Sequence, residues 1–155
     1  MITAPHLHAL VIHFPIALLI VGFLSEIIAL FSKKQFFKNA SLYLLLLGSL
    51  GAIVAYVSGS YAGDGMTDGL LQEPMELHED AALVTLLLAI ITALLRAAMH
   101  YFDYQKAWAQ WASFLLFAAL VGFVARTGYL GGQLVFKHGA GIELALPDFG
   151  DQPKK

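Results

Sequence analysis

The sequence predicts an all-α, polytopic membrane protein folded as a four-helix, up-down transmembrane bundle. Three observations carry that prediction. Of the 155 residues, 59% are hydrophobic and 13% charged, with a mean hydropathy of +0.72; an ordinary soluble domain carries about 25% charged residues. The apolar residues gather into four runs, each near the ~20 residues that a bilayer requires. Short or polar connections separate the runs, which makes consecutive spans antiparallel neighbours.

The first run extends from Ala9 to Phe31. Pro15 falls in its opening turns, where a missing N–H does little harm. Lys33, Lys34 and Lys38 follow in a short polar connection, and the second run covers Ala40 to Ala62. The segment from Gly63 to Glu79 is rich in Gly and Pro and reads as a loop. The third run, Ala81 to Met99, is closed by His100 and Tyr101. The fourth begins at Ala107, with Trp108 and Trp111 as interfacial anchors. From Thr127 the glycines Gly128, Gly131 and Gly132 signal a turn into a polar tail. The expectation is one domain over 1–155, with spans near 9–31, 40–62, 81–101 and 107–126 and a tail over 127–155.

Composition narrows the chemistry. Cysteine is absent, which removes disulfides, thiolate catalysis, iron–sulfur ligation and covalent c-type haem attachment. A net charge of −2 gives no footprint for nucleic acid. The N-terminus has no basic region and no small-residue cleavage site, so it is not read as a signal peptide. No HExxH pair, phosphate-binding glycine loop or nucleophile triad assembles from the order of residues. Glu26 is the one carboxylate well inside a span, and Arg96 or a water contact is its expected partner.

Charge placement orients the chain. The first connection carries three lysines and the third is flanked by Arg96 and Lys106, whereas the second holds six acidic residues and no base. The positive-inside rule then puts the first and third connections in the cytoplasm and both termini outside. Five of the six histidines, His6, His8, His13, His78 and His138, fall at the outer end; His100 lies at the inner one.

Imidazoles at membrane depth ask for a partner. In an up-down bundle the first and third spans sit diagonally and can hold a cofactor between them. His13 lies about one turn into the first span and His78 opens the third. Neutral imidazoles at matching depth on these spans suit the two axial positions of a b-type haem. The competing reading is that each histidine caps a helix end or bonds a carbonyl. His8 and His13 point about 140° apart on a helix, so only one of them faces the core. The other, or His138, is left to serve as an alternate ligand or to bond a propionate.

A ladder of small residues, Gly48, Gly51, Ala55, Gly59 and Gly63, runs down the second span. Close helix packing explains it, and Gly51 and Gly59 are also candidates for the bare wall against which a flat macrocycle lies. Arg126 is a candidate for a propionate through its bidentate fork, or else an interfacial arginine that snorkels. A zinc or copper site from His13, His78 and His138 is chemically sensible but has no fixed spacing behind it.

The motifs His8-x4-His13-Phe14-Pro15-Ile16-Ala17, His78 at the third span, and Gly128-x2-Gly131-Gly132-x-Leu134-Val135-Phe136-x-His138-Gly139 resemble a bacterial membrane family, domain of unknown function 2231. The resemblance covers nearly the whole chain; Ala9 stands where the family often has proline. It implies a four-span protein of the bacterial cytoplasmic (inner) membrane. Some members are fused to cytochrome c-like or Rieske-type domains, which implies electron transfer and favours haem over zinc.

The functional expectation is therefore a membrane cytochrome-like electron carrier, or a subunit, rather than a stand-alone enzyme. It would hold one haem b near the periplasmic face, ligated by His13 and His78. The lipid bilayer, a quinone, a periplasmic electron carrier or respiratory-complex subunits are its expected partners. A zinc- or copper-binding membrane protein and a structural subunit of a larger complex are the alternatives.

Overall fold

The computed structural model describes residues 3–64 and 69–142. Every regular element among them is helical: α1 (Ala4–Val11), α2 (His13–Ser32), α3 (Gln35–Gly63), a 3-10 turn (Gly69–Leu71), α4 (Gln72–Tyr101) and α5 (Ala107–His138). Four helical stretches are long and apolar enough to cross a membrane, α1 and α2 counting as one from Ala4 to Ser32. The chain is a four-span, all-α membrane protein.

α1 and α2 part at Ile12, whose dihedrals remain right-handed helical. The cause is Pro15, which has no N–H to give the Val11 carbonyl. Bonds from Ile12 N to His8 O (3.1 Å) and from Ile16 N to Ile12 O (3.4 Å) carry the chain across. Lys33 ends α2 in the left-handed conformation (φ 54°), and its N–H caps the Ala29 carbonyl at 3.0 Å. Only Lys33 and Lys34 separate α2 from α3, so Lys38 is helical rather than part of a loop.

The helices outrun the apolar runs at one end. α4 starts at Gln72, inside the segment expected to be a loop, and α5 continues through Gly128, Gly131 and Gly132 to His138. A hydropathy count stops where hydrocarbon would stop, whereas backbone hydrogen bonding continues into the polar zone. Gly139 (φ 70°) then ends α5, its N–H bonding Val135 O while Ala140 N bonds Leu134 O. The tail beyond residue 142 lies outside the described residues.

Neighbours in sequence are neighbours in space. α2 packs on α3, α3 on α4, and α4 on α5, while a narrower α2–α5 seam closes the ring. The first and third spans are thus diagonal, as the up-down expectation requires. Leu19, Leu45, Ala52, Ala89, Phe117, Leu120 and Val124 fill the centre. Phe23 meets Phe114 and Phe117, each with ring centroids 5.4 Å apart, to seal the α2–α5 seam.

Small residues let the first two spans approach closely. A Cβ built on Gly48 would lie 2.8 Å from Leu19, and one on Gly51 would lie 3.2 Å from Pro15. At one end of the bundle Arg96 reaches across the diagonal to Glu26, its Nη1 bonding Oε1 at 2.7 Å and its Nη2 bonding Oε2. Ser113 and Ser41 flank the guanidinium at 3.3 and 3.4 Å. The partner expected for Glu26 is the partner found.

Candidate functional site

The opposite end of the bundle carries the two half-buried imidazoles. His8, on α1, and His78, two turns into α4, are both half-buried and lie within electrostatic reach of each other. α1 packs on α3 and α2 but makes no backbone approach to α4 or α5 among the described residues. His8 and His78 therefore stand on helices that are diagonal in the bundle rather than packed neighbours.

Each ring is held by the same device. His78 Nδ1 lies 3.2 Å from the Thr127 carbonyl; a carbonyl only accepts, so Nδ1 carries the proton and donates it. Thr127 is itself tied to α4, because Thr85 Oγ1 gives its proton to Ala81 O (2.8 Å) and receives one from Thr127 Oγ1 (2.8 Å). His8 Nδ1 lies 3.0 Å from Ser58 Oγ, and the Ser58 hydroxyl donates to the Ala55 carbonyl at 2.9 Å. With its one proton so directed, Ser58 accepts, and His8 Nδ1 is the donor. Both rings are thereby assigned the Nδ1–H tautomer, which leaves each Nε2 with a lone pair.

Glycine seats both rings. A Cβ on Gly59 would lie 3.0 Å from His8 Cε1, and one on Gly131 would lie 3.1 Å from His78 Cε1. Only bare backbone lets the imidazole edge come this near to the facing helix. Gly59, expected as part of a wall, is the floor beneath His8. Gly51 does not reach the site; it accommodates Pro15.

His13 does not join this pair. It is exposed, and its Nδ1 donates at 2.7 Å to Ala9 O, one turn earlier on α1. The face α1 and α2 turn inward carries His8, Pro15, Leu19 and Gly22, and His13 projects away from it. The imidazole opposite His78 is therefore His8. Arg126 is also exposed, with its guanidinium carbon 5.9 Å from the centre of the Phe123 ring, rather than turned toward the imidazoles.

His138 ends α5 and lines a cleft of about 240 Å³ with Glu73, Pro74, Leu77, Leu130, Gln133 and Lys137. His6 bonds Thr3 Oγ1 at 2.7 Å, and His100 is exposed at the ion-pair end. His13, His78 and His138 do not converge: among the described residues no three His, Cys, Asp or Glu side chains assemble into a metal-binding group.

Sequence reasoning missed Ser58, Thr85, Thr127 and Gly131 as supports of the two rings. A signal for the choice of histidine was present. His8, Pro15, Gly22 and Ala29 recur every seven residues, as do His78, Thr85 and Thr92, which marks one helix face. The choice of acceptor for each Nδ1–H, Ser58 Oγ for His8 and Thr127 O for His78, has no counterpart in the sequence.

No curated protein and no solved structure matches this chain. A family described as predicted membrane protein (DUF2231) matches residues 4–144. With four apolar helices and the matched region covering nearly all of its length, the chain belongs to that family.

Proposed function

We propose that the protein is a membrane-bound electron carrier that holds one haem b between His8 and His78. The observation that carries this reading is the matched pair of imidazoles. They stand on diagonal spans, each with Nδ1 committed to the protein and Nε2 left with its lone pair. A histidine ligand ordinarily has its second nitrogen anchored in this way, which fixes both ring orientation and basicity.

The residues present fit the group. The described residues supply two nitrogens here and no third His, Cys, Asp or Glu ligand. Zinc needs three or four protein ligands, whereas a porphyrin brings four nitrogens of its own and needs only two more. His8 and His78 stand on helices that are diagonal in the bundle, and Gly59 and Gly131 keep both rings against the helix backbones. A haem held by His8 and His78 would supply one-electron chemistry. The protein's own part is to hold the two Nε2 atoms at a fixed separation and to keep water away.

In this reading the imidazole end faces the periplasm of a bacterial inner membrane, and both termini lie on that side. The lysine-bearing Lys33–Lys34 connection faces the cytoplasm. A quinone in the bilayer, a periplasmic carrier or a respiratory-complex subunit would be the redox partner.

The test is the absorption spectrum of detergent-solubilised protein expressed with ample haem. Sharp reduced α and β bands are expected. His8→Ala and His78→Ala should each abolish the low-spin spectrum, while His13→Ala and His100→Ala keep it. A folded, colourless preparation would overturn the proposal.

One observation favours copper as the second reading. Met75, three residues before His78, is 6% exposed, and its sulfur lies 3.6 Å from where a Gly63 Cβ would stand. Gly63 is one turn beyond the glycine that seats His8. Two imidazoles and a thioether are a soft set suited to cuprous ion. Elemental analysis of the same preparation separates copper from iron.

A further inference from the structure

The two helical hairpins carry one pattern twice. Along the outgoing helices, α1–α2 and α4, the inward residues correspond at a spacing of 70: His8 with His78, Pro15 with Thr85, Leu19 with Ala89, Gly22 with Thr92 and Glu26 with Arg96. Along the returning helices, α3 and α5, they correspond at a spacing of 72: Ser41 with Ser113, Leu45 with Phe117, Gly48 with Leu120, Ala52 with Val124 and Gly59 with Gly131. Every one of these residues is buried or half-buried.

Heptad periodicity alone would match buried positions between any two amphipathic helices. It does not explain why the contacts repeat. His8 rests on Gly59 as His78 rests on Gly131. The anchoring carbonyl stands one turn before the glycine in both hairpins, Thr127 O directly for His78 and Ala55 O through Ser58 for His8. Ser41 and Ser113 approach the same guanidinium from their two helices. Equivalent residues also face each other: Glu26 bonds Arg96 at one end, and His8 and His78 lie within electrostatic reach at the other. Residues equivalent about a two-fold axis approach each other only where they lie near it.

We infer that the chain is a duplicated hairpin whose halves are related by a pseudo-two-fold axis along the bundle, and that the His8–His78 site is one ligand position on that axis. Each hairpin supplies one Nε2, and Gly59 and Gly131 are equivalent positioning residues. What the site holds rests on the haem reading above; the axis itself does not. At the far end the equivalent positions have diverged to a carboxylate and a guanidinium. There the axis is closed by an ion pair, which leaves one ligand position per chain. Parallel repeats about an axis along the membrane normal are a known way to build membrane proteins.

Two measurements on the full chain test this. The first is independent of any cofactor. Glu26→Arg and Arg96→Glu should each lower the thermal midpoint in detergent, and the double exchange E26R/R96E should restore most of it. Equivalent sites tolerate exchange because Ser41 and Ser113 flank the axis from either side. A double variant no more stable than the worse single one would overturn the axis.

The second measurement reads the imidazole end. Gly59→Ala and Gly131→Ala should shift the low-spin absorption bands in the same direction and to a similar extent, while Gly128→Ala, where a Cβ meets nothing within 4 Å, leaves them unmoved. A shift in only one of the pair would overturn the equivalence. Should the protein prove colourless, the haem reading fails and thiols report the axis instead. The chain has no cysteine, so dibromobimane, which fluoresces on bridging two thiols, should light up H8C/H78C and not H13C/H78C. Absence of bridging in H8C/H78C would overturn the shared position.

Discussion

A histidine becomes useful as a ligand when its other nitrogen is held, and two residues that sequence reasoning passed over, Ser58 and Thr127, decide that here. Thr127 binds His78 through a main-chain oxygen, so no change of its side chain removes that anchor. Ser58→Ala does remove the hydroxyl beneath His8. We expect it to leave the fold intact and to shift the redox midpoint of the loaded protein, read by potentiometric titration against Ser60→Ala as control. At the other end the Glu26–Arg96 pair has both side chains 13% exposed. Breaking such a pair strands a charge, with a cost of about 3–5 kcal/mol. Arg96→Met should therefore unfold the protein at distinctly lower temperature, and adding Glu26→Leu should return much of the loss, because no charge is then left alone. A double variant as unstable as Arg96→Met would sink that account.

At the scale of the helices, glycine sets how closely the first two spans pack. Gly48 abuts Leu19, which is 1% exposed and has nowhere to move. Gly48→Ala should cost about 1–3 kcal/mol by overpacking, whereas Gly122→Ala, facing open space, should cost nothing measurable in the same thermal scan. The ladder Gly48, Gly51, Gly59 was legible as a packing face. Its individual partners were not, since Leu19, Pro15 and His8 are assigned to its rungs only by the crossing of two helices. Helix ends were equally hidden. Residues 72–80 and 127–138 are polar or glycine-rich, yet they continue α4 and α5. Tertiary contact there outweighs the local preference for a turn.

At the scale of the whole molecule, the bundle places a charged clasp at one end and a pair of imidazoles at the other. The proposed orientation rests on the lysines, and the absence of cysteine makes it measurable. In intact spheroplasts an impermeant maleimide should label Gln72→Cys and spare Lys34→Cys, both positions being exposed; the reverse pattern would invert the proposed topology. Four spans, their antiparallel order and the partner of Glu26 were all legible in the chain. Hydropathy, loop length and the cost of a lone charge in hydrocarbon act along one dimension. Which histidine faces inward was not settled in that dimension, because His8 and His13 lie at the start of the same span and either can serve. The packing of Pro15 against Gly51 turns α1 so that His8 meets the core, and the joining of two like hairpins brings His78 to it. Rotation of a helix about its own axis is fixed by the surface it packs on, and that surface belongs to another part of the chain.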